Sequence, residues 1–445
     1  MANEQQYLDI YSQNADLICS HSNEVMNRAR AEAANRFRQK GFPVRRKTEE
    51  YRYTPIADAF APDYGLNLKH LPIGLGDAEA FRCAIGGLES YLGFVVGDHF
   101  KSGVTWPEGV FVGSISQLAA NHPEFLQKYY QQQASKANDA LVDFNTMFAQ
   151  DGLVVWVKRG VQVGKPIQIV FLGNSSIDLM TNRRSLIVVE PEASVQLLLC
   201  DHNRTQAKLL TTQVVETSVE ERAHLEVYEI EETGEGNTLI ENMAVELQAD
   251  SQMKYGCFTL KGGMSRRTTR FTLAGPRAQI EAFGGVIGSG KSHTDHNLLI
   301  DHATTDCQSD VLFKYVLDGE SVGAFAGKVL VRPDAQRTQS LETNANLCVS
   351  PKARMYTQPM LEIYADDVKC NHGSTVGKLD ERALFYMAQR GVPPEEARTL
   401  LQQAFLGEAV RKISIEALRA RLNHMVEERF RFNSGACKDC SLCQK

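Results

Sequence analysis

The segment Val189-Glu-Pro-Glu-Ala193-Ser-Val195 recurs in degenerate form as Val219-Glu-Glu-Arg-Ala223-His-Leu225, Leu247-Gln-Ala-Asp-Ser251-Gln-Met253 and Val349-Ser-Pro-Lys-Ala353-Arg-Met355. Each copy reads apolar, x, Pro or polar, x, small, x, apolar, and looser copies put Ala278 and Ala335 in the small slot. The small residues at 193, 223, 251, 278, 335 and 353 are separated by 30, 28, 27, 57 and 18 residues. The 57 is close to twice the spacing before it, which predicts a further copy between 278 and 335. Strand-turn-strand units at a fixed period cannot each bury an apolar face alone, and stacking them creates one continuous core. The repeat therefore predicts a β-solenoid, most simply a parallel β-helix, with the small residue at a tight corner between faces. A β-sandwich would bring strands at about 8 to 12 residue spacing.

The same texture extends from Gly152 to Ile363 as short apolar runs, among them Leu153 to Val157, Ile167 to Phe171 and Val195 to Leu199. Before it, Glu4 to Lys40 is rich in helix formers, with Met26, Ala29, Ala33, Ala34 and Phe37 at helical spacing, and Gly41 and Pro43 stop the helix. The basic and aromatic piece Arg45 to Ile56 carries Glu49 and Glu50, so it reads as a solvated connector with anchoring tyrosines rather than a binding patch. A second helical region runs from about Ser116 to Lys136.

After Leu379 the pattern becomes helical again. Asp380 can cap a helix carrying Leu384, Met387 and Ala388 and closed by Gly391. Pro393 and Pro394 open a second, with Ala397, Leu400, Leu401, Ala404 and Phe405 on one face, and Ser414 can cap a third carrying Leu418, Leu422 and Met425. These helices are expected to cap the open end of the solenoid and to offer a docking surface. The expected organisation is a mainly helical region over 1–145, a parallel β-helix core over 146–378, a helical domain over 379–432 and a flexible Cys-rich tail over 433–445.

With 445 residues, 43% hydrophobic, 23% charged and a net charge of -6, the chain has the composition of a soluble globular protein of more than one domain. The negative balance gives no electrostatic reason to expect nucleic acid or an anionic membrane as partner. No signal peptide or apolar run of transmembrane length is visible, so a cytoplasmic location is expected. Ten cysteines are scattered rather than clustered into a disulfide framework.

Four constellations bear on chemistry. Cys370 and His372 stand where strand texture gives way to helix, and a Cys-x-His spacing on an extended segment puts thiol and imidazole on one side. Both are metal-ligand types, although a buried Cys and a hydrogen-bonded His at a domain junction would need no metal. Gly285-Val-Ile-Gly-Ser-Gly290-Lys291-Ser292 formally satisfies the phosphate-loop pattern, but the residues after it are poor in helix formers and so lack the helix N-terminus that such a loop requires. His293, Asp295, His296, His302 and Cys307 form a third group. On a strand His293 and Asp295 share one face and His296 and His302 the other, which reads as polar ladders on a solenoid surface. Finally Cys437, Cys440 and Cys443 match the start of a cluster-binding run without a fourth cysteine. A tail that captures iron, zinc or a cluster, a non-binding thiol tail, and a disulfide are the readings left open.

The strings Leu317-Asp-Gly, Gly327-Lys, Asp334-Ala-Gln, Asn344-Ala-Asn346-Leu, Leu361-Glu-Ile-Tyr-Ala-Asp-Asp-Val-Lys-Cys-Asn-His-Gly-Ser-Thr-Val-Gly377, Leu379-Asp-Glu-Arg-Ala-Leu-Phe-Tyr386 and Glu396-Ala-Arg398 resemble the SufD branch of the SufB/SufD family, of the SUF iron-sulfur cluster assembly system. Weaker agreement reaches back to Asn145 through Gly152 and to Glu49 through Thr54, where the family usually shows a Trp and this chain has Tyr51. The resemblance implies a right-handed parallel β-helix between helical ends and a non-catalytic subunit of a SufBCD scaffold complex. It implies a SufB partner along the β-helix edge and a SufC ATPase on the C-terminal helices, with any nucleotide bound by that ATPase and not by this chain. It further implies a transient iron-sulfur cluster shared with SufB at Cys370 and His372, with His372 the principal ligand. The tail cysteines lie outside the family pattern, and a homodimer in the absence of partners is compatible with it. The competing readings are a β-helix enzyme acting on polysaccharide, which needs an exposed carboxylate set and usually secretion, and a nucleotide-binding protein working through Lys291.

Overall fold

The computed structural model describes residues 4–71, 85–203 and 205–431. It is 42% strand and 27% helix, built as a parallel β-solenoid of about 7 turns with helices before and after it. Successive strands alternate between two sheets, so each strand pairs with the one two positions later. In one sheet Leu179–Val189 pairs with Leu209–Val219, that with Asn237–Leu247, and the series ends at Arg354–Ile363. In the other, Ser194–Asn203 pairs with His224–Glu232, that with Gln252–Lys261, and the series ends at Val368–Gly377. The first is covered by the N-terminal helices and the second by the C-terminal ones, and we call them the N-side and C-side sheets.

The corner that sets the period is a residue with left-handed backbone: Glu192, Arg222, Asp250, Arg277, Asp306 and Arg337 all have φ between 57° and 65°. Their separations are 30, 28, 27, 29 and 31 residues. The residues that follow them, Ala193, Ala223, Ser251, Ala278, Cys307 and Thr338, lead into the C-side strands. The copy predicted between 278 and 335 is therefore Cys307, where a thiol replaces the methyl or hydroxyl. Ala335 lies inside a longer turn and leaves its slot to Thr338. Ala353 precedes an N-side strand and belongs to the opposite corner with Ser292 and Ser321, which explains the separation of 18. A left-handed non-glycine residue costs about 1–2 kcal/mol. Each corner offsets it with a backbone bond to the next coil, as from Glu192 N–H to the Glu221 carbonyl (3.0 Å), Arg222 to Ala249 (2.9 Å) and Asp306 to Gln336 (2.9 Å). Acidic and basic corner residues alternate and pair along the stack: Arg222 with Glu192, Arg277 with Asp250, Arg337 with Asp306.

Between the sheets lies a continuous core that includes Ile187, Leu197, Val227, Tyr255, Phe271, Ile300, Phe313 and Phe325. On the outer N-side face, Met180, Leu210 and Ile240 are covered by Phe37, Phe42, Phe60 and Phe144. The region read as one helix over Glu4 to Lys40 is two, Glu4–Ser20 and Glu24–Lys40, because the Asn23 side chain accepts from the Met26 N–H and starts a new helix. Buried Arg30 donates to the carbonyls of Thr146 and Met147 at the end of the helix Ala140–Phe148, satisfying groups that no further turn reaches. The connector exposes Arg45, Arg46, Lys47, Glu49, Glu50 and Arg52 and is anchored by tyrosines, as its composition predicts. Tyr51 is buried under the Arg266 guanidinium and donates to Asp139 (2.6 Å), while Tyr53 stacks on Tyr356.

The C-terminal helices Glu381–Gln389, Pro394–Val410 and Glu416–Arg431 do not cap the end of the solenoid, contrary to the sequence expectation. Leu406, Ala409, Val410, Leu418 and Leu422 pack on Tyr228, Phe258, Phe283 and Leu312, the outer face of the C-side sheet, whose apolar row needs this cover. Asp380 caps its helix as predicted, accepting from the Arg382 N–H. Ser414 does not cap: its hydroxyl binds the Glu226 carboxylate, and its N–H donates to the Tyr228 hydroxyl (3.1 Å). No described helix is long and apolar enough to cross a membrane.

Glu226 is thus a fastening point between sheet and helices. Burial alone would raise its carboxyl, but hydrogen bonds from His224, Ser414, Tyr228 and Gln196 outweigh that and hold it at about 2, below the ordinary 4.5. A depressed carboxyl adds stability above the unfolded value and loses it as pH falls through the folded one. Replacing Glu226→Gln is expected to cost about 2 kcal/mol at pH 7, with the loss shrinking by more than half by pH 3. Urea denaturation of both proteins at the two pH values checks this, and an equal loss at both would rule the carboxylate out as the cause.

Candidate functional site

The two ends of the stack differ. At the N-terminal end each sheet finishes in a short antiparallel strand, Val110–Ser114 on the N-side and His99–Lys101 on the C-side. At the C-terminal end the last strands, Arg354–Ile363 and Val368–Gly377, are ten residues each and pair on one side only. Leu341, Tyr356, Ile363, Tyr364 and Val376 are exposed around this end. Cys370 and His372 lie on the C-side edge strand, two residues apart and hence on one face, as the spacing predicts.

The register identifies what lies beside them. Cys370 sits opposite Ser340, His372 opposite Glu342 and Ser374 opposite Asn344. In the preceding strand Thr338, Ser340, Glu342, Asn344 and Asn346 are all buried, so the face turned into the solenoid is polar there. The apolar core gives way to a polar network. His302 Nε2 meets the Ser309 hydroxyl (2.9 Å), which donates to Ser340 (2.8 Å), and Thr357 donates to Asn344 (2.8 Å) and meets Ser374 (2.6 Å).

Glu342 is the member that sequence reasoning missed. It is 1% exposed, its Oε1 has no hydrogen-bond partner, and burial pushes its carboxyl up to about 7. Gly327 on the facing sheet makes room for it, since a Cβ there would lie 2.2 Å from Glu342 Oε1. Only the strand register, which pairs Glu342 with His372, places this acid beneath the imidazole. Cys370 is half-buried with Leu361, Val368 and Val331, and burial raises its thiol, opposed by a hydrogen bond from the Ser340 backbone. His372 is exposed. An imidazole, a thiol and a carboxylate on adjoining edge positions are borderline-to-soft donors for iron or zinc. Cys370 and His372 stand on a strand whose outer side has no partner among the described residues, and Glu342 on the strand paired with its inner side.

The other constellations separate. Lys291 and Ser292 lie in the turn between Gln279–Gly288 and His293–His302, so the phosphate-loop string opens a strand and not a helix. His293 and Asp295 face outward, where Asp295 binds Arg266 and Thr54. His296 and His302 face the other way, as the parity predicts, but into the buried interior rather than onto a surface ladder. His296 Nδ1 meets the Tyr315 hydroxyl (2.6 Å) and its Nε2 the Cys257 thiol (3.5 Å), and burial lowers it to about 3. Cys307 donates to the Gly275 carbonyl (3.4 Å) at its corner. Cys437, Cys440 and Cys443 lie outside the described residues.

Residues 1–169 match the family described as the SufBD protein N-terminal region, and residues 171–405 the family described as SUF system FeS cluster assembly, SufBD core domain. An iron-sulfur cluster assembly SufBD family protein of Synechocystis is 28% identical over 395 residues, covering 86% of each chain. The iron-sulfur cluster assembly protein SufD of Bacillus subtilis is 23% identical over 325 residues, 72% of this chain and 74% of that one. SufD of Escherichia coli is 30% identical over 172 residues, 39% of this chain and 41% of that one. With N-terminal helices and a solenoid core that the two family matches span, the chain belongs to the SufBD family of the SUF iron-sulfur cluster assembly system.

Proposed function

We propose that this chain is a non-catalytic, cytoplasmic subunit of a SUF assembly complex, and that its last coil supplies half of the site where an iron-sulfur cluster is built. The observation that carries this reading is the ten-residue edge strand bearing Cys370 and His372. Its outer hydrogen-bonding groups are the template on which a second β-solenoid can continue the sheet. A SufB chain is the proposed partner, adding strands to both sheets and the ligands that the half-site lacks, because iron and zinc sites need three or four convergent donors. The nascent cluster is cargo held between the two chains, with His372 the principal donor, Cys370 secondary and Glu342 close beneath.

A SufC ATPase is the proposed partner of the C-terminal helices. The helix Glu381–Gln389 buries none of its residues in this chain, and Phe385 and Tyr386 are exposed on it. An amphipathic helix left uncovered in this way has its apolar face available for a partner. Nucleotide chemistry belongs to that ATPase, and its transmitted motion would open or close the edge.

Two outcomes test the reading. His372→Ala is expected to leave the thermal midpoint unchanged and to reduce cluster formation at least tenfold, read as visible absorbance after anaerobic addition of iron and sulfide to the reconstituted three-subunit complex. Cluster formation at the parental rate would remove His372 from the site. Val376→Asp, which places a charge on the exposed edge, is expected to weaken binding to the SufB chain at least tenfold without lowering the thermal midpoint. Calorimetric titration gives the affinity, size-exclusion chromatography gives the homodimer content of the isolated chain, and unchanged affinity would put the interface elsewhere.

A further inference from the structure

The opposite end of the solenoid holds a separate cluster of donors. The hairpin of Tyr91–Val96 and His99–Lys101 turns through Gly97 (φ 65°) and brings Asp98 and His99 to its tip. Facing it, the chain leaving the N-terminal helices makes a turn pinned by Asn67, whose side chain accepts from the Leu71 N–H (2.9 Å) and donates to the Leu71 carbonyl (3.2 Å). His70 in that turn takes a left-handed backbone, φ 48°, which a histidine adopts at a cost.

The result is a close convergence of two imidazoles on one carboxylate. His70 Nε2 lies 3.4 Å from Asp98 Oδ2, and His99 Nε2 lies 3.6 Å from Asp98 Oδ1. One ligand atom from each of the three residues falls within 4.8 Å of the other two. The two rings stack with centroids 3.7 Å apart. Both Nε2 atoms are buried, and the Asp98 carboxylate that each of them faces lies farther away than an ordinary hydrogen bond. His99 is also held by a hydrogen bond to the Leu71 backbone, the kind of second contact that orients a ligating imidazole.

This arrangement is poor as a purely structural contact. A buried polar atom left unpaired costs about 1–3 kcal/mol, and here two imidazole nitrogens share one carboxylate at long range, which recovers only part of that cost. A cation beside the Asp98 carboxylate would convert all three groups into ligands once the rings turn out of their stack, so that each Nε2 lone pair meets it in its own ring plane. Two imidazoles and a carboxylate, with remaining positions open to water, form a donor set for Zn2+ and Fe2+. Hard all-oxygen cations such as Ca2+ and Mg2+ fit it badly.

We propose that His70, Asp98 and His99 form a binding site for one first-row divalent cation, Zn2+ or Fe2+, at the N-terminal end of the solenoid. The site is independent of Cys370 and His372, which stand on the last strand at the other end of the same sheet.

The test uses the full chain carrying Cys437→Ser, Cys440→Ser and Cys443→Ser, so that tail thiols take no metal. Co2+ is titrated anaerobically as the spectroscopic probe, and Zn2+ and Fe2+ are then used to displace it. The expected result is one equivalent of Co2+ per chain with ligand-field bands and no thiolate-to-cobalt charge transfer. Asp98→Asn, which keeps the side-chain shape, and His70→Asn, which suits the left-handed backbone, are each expected to weaken binding at least tenfold, whereas His372→Ala leaves it unchanged. Excess Zn2+ is expected to raise the thermal midpoint of the parent but not of Asp98→Asn. Equal Co2+ affinity in the parent and in Asp98→Asn, or loss of that equivalent in His372→Ala, overturns the proposal.

Discussion

A stack of parallel strands has to end, and each end leaves a row of backbone N–H and C=O groups without a ladder partner. The architecture of this chain depends on treating its two ends differently. At the N-terminal end the sheets finish in antiparallel strands of five and three residues, Val110–Ser114 and His99–Lys101, too short to template much further pairing. At the C-terminal end two full-length strands are presented with Tyr356, Leu341 and Val376 exposed around them. The C-terminal helices, which would have closed this end, are drawn onto the sheet face by Tyr228, Phe258, Phe283 and Leu312. An apolar face and an open edge compete for the same cover, and here the face takes it.

What keeps the open coil in place is the ordering of the coils before it. Their interior is not uniformly apolar: Arg267 lies 3.0 Å from Glu241, 3.2 Å from Glu231 and 3.3 Å from Glu229, all buried between the sheets. Burial, then the neighbouring Glu229 charge, pushes Glu241 up to about 8 despite that guanidinium. Such a knot is weak evidence for stability, because desolvation opposes the attraction. It does penalise register slips, since moving a strand by one residue would turn each of these groups to the wrong face. The alternating charges at the corners act from outside in the same sense, pairing each acid with the base one coil on.

Sequence periodicity carried the solenoid because a coil repeats its corner geometry, and corner geometry restricts residue type. The restriction falls on the left-handed backbone at 192, 222, 250, 277, 306 and 337 more than on side-chain size. A search for small residues therefore passed over Cys307 and settled on Ala335. Cys370 and His372 were legible because strand parity is local, and Glu342 was hidden because it needs the register of the strand before. His70 and the Asp98–His99 pair are 28 residues apart in the chain and meet only through a hairpin and a strained turn, which no spacing rule connects. The resting place of the C-terminal helices was hidden for another reason. Their apolar faces announce burial, while the choice between sheet face and sheet end depends on which residues of the middle coils point outward.

That resting place has a mechanical consequence. The helices Pro394–Val410 and Glu416–Arg431 are fixed to the middle coils by apolar packing, by the Lys314–Glu408 pair and by Lys412 with Glu281 (2.8 Å) and Asp310 (2.7 Å). The helix Glu381–Gln389 is held far less, with no buried residue, and only residues 378–380 separate it from the edge strand that carries Cys370 and His372. Three residues span at most about 10 Å when fully extended, so a partner that displaces this helix must either straighten the link or pull on the end of the edge strand. Among the described residues the strand bonds to one neighbour only, so it has less to resist such a pull than the strands of the middle coils, which are held on both sides. The same open edge on which a second chain is proposed to continue the sheet would thus make the proposed site responsive to whatever occupies the exposed helix next to it.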